Sequence, residues 1–113
     1  MTDFRRARLS IAAAGVVILS AGPVSAYCGL AAAVDRTERA VAALGSGGEG
    51  ALPAANAALA RAIRAEGAAV DPATLAAVRD YASLRAGAAG VGGSAAAGLA
   101  RVVLAAAAEA GCE

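Results

Sequence analysis

Residues 28–44, CGLAAAVDRTERAVAAL, decide the fold of this chain. Apolar side chains recur in this stretch at intervals of three and four residues, which is the period of one face of an α-helix. The other face carries charge, and Asp35 and Arg39 have the spacing of an i,i+4 ion pair. The stretch therefore predicts an amphipathic helix from about Gly29 to Leu44 with one buried face. That face consists of Leu30, Val34, Thr37, Val41 and Leu44.

Three further helix-like stretches follow, and glycine-rich segments separate them. The second covers about residues 53–66 and has a glycine at its C-cap position. The third begins at Asp71-Pro72, an N-cap acceptor followed by a proline suited to the first helical turn, and continues to about residue 85. The fourth covers residues 95–110, with a serine cap before it and a glycine after it. The predicted caps are Gly67, Ser94 and Gly111, and the predicted inner faces are Leu52, Leu59 and Ile63, then Leu75, Val78, Tyr81 and Leu84, then Leu99, Val102, Val103, Ala106 and Ala107.

Four helices of similar length with short connections predict an all-α protein, a small antiparallel bundle. In an up-down-up-down arrangement, the start of the first helix and the end of the fourth helix lie at the same end of the bundle. Cys28 and Cys112 are the only two cysteines, and this topology places them side by side. We therefore predict one structural disulfide that joins the terminal helices. The alternating pattern of β-strands does not occur.

The N-terminal residues have the three-part pattern of a secretory signal. Residues 1–8 contain three arginines and one acid, and residues 9–21 form an uncharged apolar run. Gly22-Pro23 follows, and this pair is predicted to break the signal helix. Residues 24–26, Val-Ser-Ala, then supply small side chains at the positions that a signal peptidase reads.

Cleavage is predicted between Ala26 and Tyr27. This prediction divides the chain into a signal peptide, residues 1–26, and one small helical domain, residues 27–113. It also places the domain outside the cytoplasm, in the periplasm or secreted, where a disulfide persists.

Two alternatives concern the same segment. Uncharged sequence continues from residue 9 through residue 34, which exceeds the roughly 20 residues that span a bilayer. An uncleaved membrane anchor through residues 9–26 is therefore an alternative, and it would be the only membrane contact of the chain. Lipid attachment at Cys28 is disfavoured, because the bulky Tyr27 directly precedes it.

Composition excludes several classes of partner. About a third of the 113 residues are alanine, all ten basic residues are arginine, and histidine is absent. From Tyr27 onward, seven arginines stand against eight acids. A nearly neutral domain with scattered charges has no electrostatic footprint for nucleic acid or for an anionic membrane surface.

The residue types for most catalytic and metal chemistry are also lacking. The absence of histidine removes the commonest general base and the commonest metal ligand. Two distant cysteines do not form a zinc site, and the glycine-rich segments lack the lysine of a phosphate-binding loop. Asp35, Glu38 and Asp80 are interpreted as solvated charges, and Tyr81 as a packed ring whose hydroxyl reaches the surface. We therefore predict no catalytic residue, no metal and no cofactor.

These observations favour a non-enzymatic binding protein of the cell envelope, with an unknown protein or a small apolar ligand as its partner. A membrane-tethered helical module and an enzyme accessory subunit are the alternatives. The sequence does not indicate an oligomeric state.

Overall fold

The computed structural model describes residues 14–48, 50–87 and 93–112, and within the first helix it describes side chains from Pro23 onward. The charged opening predicted for residues 1–8 lies outside this part of the chain. Four α-helices account for most of the described residues. They are α1 (Ala14–Ala42), α2 (Ala51–Glu66), α3 (Pro72–Gly87) and α4 (Gly93–Ala110).

The four helices form an up-down-up-down bundle, as predicted. Each helix packs against the next one along the chain, and α4 also packs against α1, which closes the bundle. Contacts between side chains fix the directions of the helices. Tyr27 near the middle of α1 meets Asp71 at the start of α3, and Glu38 later in α1 meets Arg85 late in α3, so α1 and α3 run in the same direction.

Two short 3₁₀ turns connect the first three helices. Leu44–Ser46 follows α1, and Gly67–Ala69 follows α2. Gly67 is the C-cap residue of α2, as the sequence predicts, and its backbone there is right-handed, with a φ of −59°. The residue is buried, and a Cβ at this position would lie 2.9 Å from Cδ1 of Leu75, so an alanine here would require the end of the Leu75 side chain to move.

The core follows the predicted stripes with one exception. Leu30, Val34, Leu59, Val78 and Tyr81 are fully buried, and small alanines fill the spaces between them. A second, smaller cluster lies near the end of α1 and the start of α2. Its buried members are Ala40, Leu52 and Ala55.

The exception is on α4. Val102 was expected on the inner face with Val103, but 52% of its surface is exposed, whereas Val103 is buried. Successive residues on a helix are 100° apart, so only one of the two valines can face the core. The residues of α4 that do face it are Ala96, Ala100, Val103 and Ala107.

The predicted helix break at Gly22-Pro23 is wrong. α1 begins at Ala14, much earlier than the predicted start near Gly29, and Pro23 lies inside it. A proline in a helix removes one backbone hydrogen bond and costs about 3 kcal/mol. The alanine-rich turns after Pro23 have high helix propensity, and they pack into the bundle from Ala26 onward. Both contributions offset the cost of the proline.

Candidate functional site

The Cys28–Cys112 disulfide defines one end of the bundle. The two Cα atoms are 5.4 Å apart, although the residues are separated by 84 positions in the sequence. Cys28 lies within α1, and Cys112 follows the left-handed Gly111 that ends α4. The predicted pairing of the terminal helices is therefore confirmed.

A groove runs beside this disulfide, between α1 and α4. Its volume is about 340 Å³, and it extends over about two turns of each helix. Four of its eight lining residues are alanines, and among the described residues that line it Asp35 is the only charged one. The groove is lined by Cys28, Ala31, Ala32, Asp35, Leu104, Ala107, Ala108 and Cys112.

The edge of the groove combines apolar and charged groups. Leu104 keeps 37% of its surface exposed. Asp35 and Arg39 form the predicted i,i+4 ion pair, in which Nη2 of Arg39 lies 2.9 Å from Oδ2 of Asp35. The Arg39 side chain is 81% exposed. An exposed pair of this kind stabilises a protein by at most about 1 kcal/mol, so Asp35 remains available to a cation from outside.

A polar cluster of Glu38, Tyr81 and Arg85 crosses the core between α1 and α3. Glu38 accepts hydrogen bonds from the Tyr81 hydroxyl and from Nε and Nη2 of Arg85. The Tyr81 side chain is fully buried, so the expectation that its hydroxyl reaches the surface is wrong. Glu38 is not a freely solvated charge either, because its carboxylate neutralises an arginine that is only 5% exposed.

The surroundings of this cluster shift the pKa values of its members. Burial raises the pKa of Tyr81, and the bond to the Glu38 carboxylate raises it further. Burial by itself would lower the pKa of Arg85, but its bonds to Tyr81 and Glu38 outweigh that effect, and the pKa is raised. Both groups therefore keep their protons at neutral pH. The cluster is suited to holding α1 against α3.

Another polar contact ties the predicted cleavage region to the bundle. The Tyr27 hydroxyl donates to Oδ1 of Asp71 at 2.5 Å and accepts from the Asp71 backbone N–H at 3.1 Å. Asp71 is also the predicted N-cap of α3, since its Oδ2 accepts from the Thr74 backbone N–H at 3.0 Å. The Thr74 hydroxyl first, then the Tyr27 hydroxyl and the Thr74 N–H, lower the pKa of Asp71 from 3.8 to about 2.

The remaining candidates for chemistry are dispersed. Asp80 and Ser83 are exposed on α3. Ser94 is exposed in the first turn of α4, which begins at Gly93, so the prediction that Ser94 is its N-cap is wrong. Ser46 donates a hydrogen bond to the backbone carbonyl of Ala43. Within residues 14–48, 50–87 and 93–112, no three metal-ligating side chains come together.

The importance of Arg85 was missed from the sequence. Its position was informative, because Val78, Tyr81 and Arg85 follow each other at intervals of three and four residues and therefore share the buried stripe of α3. A charged residue on a buried stripe requires a partner of opposite charge. The matching acid, Glu38, stands four residues after the buried Val34.

Among the described helices, α4 alone has the length and apolar composition needed to cross a membrane. Four of its residues face the core of the bundle, in agreement with its interpretation as a bundle helix.

Comparison with protein-family models, curated proteins and solved structures gives no match.

Proposed function

We propose that this chain is an exported helical protein of the cell envelope that acts by binding another protein, and not by catalysis. The observation that carries this proposal is the groove between α1 and α4, where apolar surface remains exposed next to a carboxylate. Apolar surface that stays exposed beside a charged group can serve as a contact for a partner.

Export is supported by the disulfide and by the N-terminal sequence. A bond between two cysteines 84 residues apart persists in an oxidising compartment and is rare in the cytosol. The arginine-containing opening, the apolar run and the small residues before Tyr27 provide a route to such a compartment.

The shape of the groove favours a helical partner. Its lining residues recur at intervals of three and four on two neighbouring helices, so each helix contributes one ridge of side chains to the groove. An amphipathic helix from another protein can place a row of apolar side chains between such ridges. Asp35 at the edge selects for a partner with a nearby lysine or arginine.

Capture from an envelope extract, with a matched pair of variants, tests this mode of binding. Ala108→Arg introduces a bulky charged side chain into the groove, whereas Ala105→Arg places the same side chain on another exposed position of α4. The wild type and Ala105→Arg should capture the same protein, and Ala108→Arg should lose it. Equal capture by all three proteins would place binding elsewhere, and native mass spectrometry would reveal a small apolar ligand that occupies the groove instead.

A second candidate is a tethered module whose N-terminal segment remains as a membrane anchor. The observation in its favour is the continuity of α1, which runs from Ala14 through Pro23 into the bundle as one helix. The mass of the protein isolated from cells separates the two candidates. A chain that begins at Tyr27 supports a released protein, and a chain that retains residues 9–26 in the membrane fraction supports the anchor.

A further inference from the structure

We propose that the folded, oxidised bundle protects the Ala26–Tyr27 bond, so that signal peptidase must act before the bundle folds and before Cys28 pairs with Cys112. This inference rests on the proposed export signal and adds an order of events to it. It concerns a single peptide bond and the contacts on both of its sides.

The bond lies inside a helix. α1 extends from Ala14 to Ala42, and Ala26 and Tyr27 occupy successive helical positions within it. A peptidase has to bind the residues around the bond it cuts, so a helical bond must first be opened locally. The cleavage rate then depends on how often that segment opens.

Contacts of the side chains on both sides oppose this opening. Ala26 is fully buried and belongs to the same core cluster as Leu30 and Val34. Tyr27 packs against that cluster, and its hydroxyl exchanges two hydrogen bonds with Asp71. Ala26, the small residue on the N-terminal side of the bond, is therefore held in the core of the folded bundle.

The disulfide strengthens this protection. Cys28 comes directly after Tyr27, and its Cα is held 5.4 Å from that of Cys112. Unwinding α1 beyond the Ala26–Tyr27 peptide bond would reach Cys28. The end of α4 would then have to move together with α1, or the disulfide would have to break. Oxidation should therefore lower the population of open molecules.

The chemistry of the step is ordinary hydrolysis. One water molecule is consumed, the C–N bond between Ala26 and Tyr27 breaks, the Ala26 carbonyl carbon gains a hydroxyl group, and the nitrogen of Tyr27 takes a proton. The bonds of Tyr27 to Asp71 and of Cys28 to Cys112 involve side chains that the product keeps. The released protein and the tethered module are then two outcomes of a competition between cleavage and folding.

Purified signal peptidase and the full-length chain in detergent micelles provide the test. Leu59→Asp places a charge at a fully buried position of α2 and should unfold the bundle, whereas Ala60→Asp places it at the exposed neighbouring position. Neither change alters the residues around the bond. Leu59→Asp should be cleaved to a product beginning at Tyr27 at least about ten times faster than the oxidised wild type or Ala60→Asp. Cys112→Ala, which cannot form the bridge, should be cleaved at an intermediate rate.

Two outcomes distinguish a failure of the proposed protection from a failure of the proposed export signal. If the oxidised wild type and Leu59→Asp are cleaved equally fast, the proposed protection is wrong and the export signal stands. If Leu59→Asp is not cleaved while a reference signal sequence is, residues 1–26 are not a cleavable signal and both proposals fail on that point.

Discussion

Arg85 donates two hydrogen bonds to one oxygen of Glu38, from Nε at 2.9 Å and from Nη2 at 2.6 Å. The two residues belong to α3 and α1, and the Arg85 side chain is 5% exposed, while that of Glu38 is 29% exposed. The pair therefore joins two helices across the core, and its arginine has almost no access to water.

Removing the acid of this pair should strongly destabilise the bundle. Glu38→Ala leaves the buried Arg85 charge without a partner, a change that costs roughly 3–5 kcal/mol at fully buried pairs. Partial exposure of Glu38 places the expected loss at about the low end of that range. Urea unfolding measures it, and the double variant Glu38→Leu/Arg85→Met should recover the part of the loss that is due to the unpaired charge, while the Tyr81 hydroxyl stays without its acceptor.

The exposed pair Asp35–Arg39 provides the control. Asp35→Ala should change the free energy of unfolding by less than about 1 kcal/mol, since both side chains are solvated. Equal losses for Glu38→Ala and Asp35→Ala would contradict the role assigned to the buried pair.

Reduction of the disulfide should lower the melting temperature. Closing a loop of this length stabilises a protein by about 4–5 kcal/mol in the chain-entropy model. That contribution is comparable to the whole stability of a small domain. Circular dichroism melts of the oxidised protein, the reduced protein and Cys28→Ala/Cys112→Ala measure the effect, and three coincident melts would show that the bridge does not stabilise the fold.

Stability should fall in acid as Asp71 takes up a proton. Its pKa is about 2 in the folded protein, below the ordinary value of 3.8. A carboxyl group with a lowered pKa contributes stability above its ordinary pKa, and that contribution is lost as the pH falls from about 4 through about 2. Asp71→Asn keeps a capping side chain but cannot titrate, so its melting temperature should depend less on pH in this window.

Asp80→Asn is the matched control for this titration, since Asp80 is exposed on the same helix. It should retain the acid dependence of the wild type. If the melting temperature of Asp71→Asn depends on pH as strongly as that of the wild type, another group causes the acid sensitivity.

Two glycine substitutions should have opposite effects. A Cβ at Gly29, inside α1, would lie 3.5 Å from the nearest side-chain atom of Glu66, an ordinary contact distance. Gly29→Ala should therefore stabilise the protein by about 0.5–1 kcal/mol through helix propensity. A Cβ at Gly48 would lie 2.9 Å from the Ala43 carbonyl oxygen, so Gly48→Ala should be destabilising. Chemical unfolding of both variants measures these changes in the free energy of unfolding. A destabilised Gly29→Ala together with a stabilised Gly48→Ala would contradict the prediction.

Periodicity and capping predicted the parts of the fold that depend on local sequence. The start of α3 follows from the Asp71 side chain, which caps its own helix, and the end of α4 follows from the positive φ that Gly111 adopts. The disulfide followed from topology, since an even number of antiparallel helices returns the chain to its starting end.

Two predictions that were wrong depend on contacts between segments that are far apart in the sequence. Pro23 was expected to end a helix, but the packing of later turns of α1 against the bundle outweighs its local cost. Tyr81 finds its partner 43 residues away in sequence, on a helix diagonal to its own. Spacing within one helix cannot reveal which acid lies opposite, because that depends on how far each helix is shifted along its neighbours.

The adjacent positions of Cys28 and Cys112 have a consequence for protein engineering. A gap of 5.4 Å between Cα atoms is within the reach of a linker of about two residues, at 3.8 Å per peptide unit. Such a linker between the positions of Cys28 and Cys112 would replace the disulfide and give a backbone-cyclised bundle. Alternatively, both positions can be joined to a surface loop of a host protein, so that the bundle becomes an inserted domain. In either format, the four helices could be produced in the reducing cytosol.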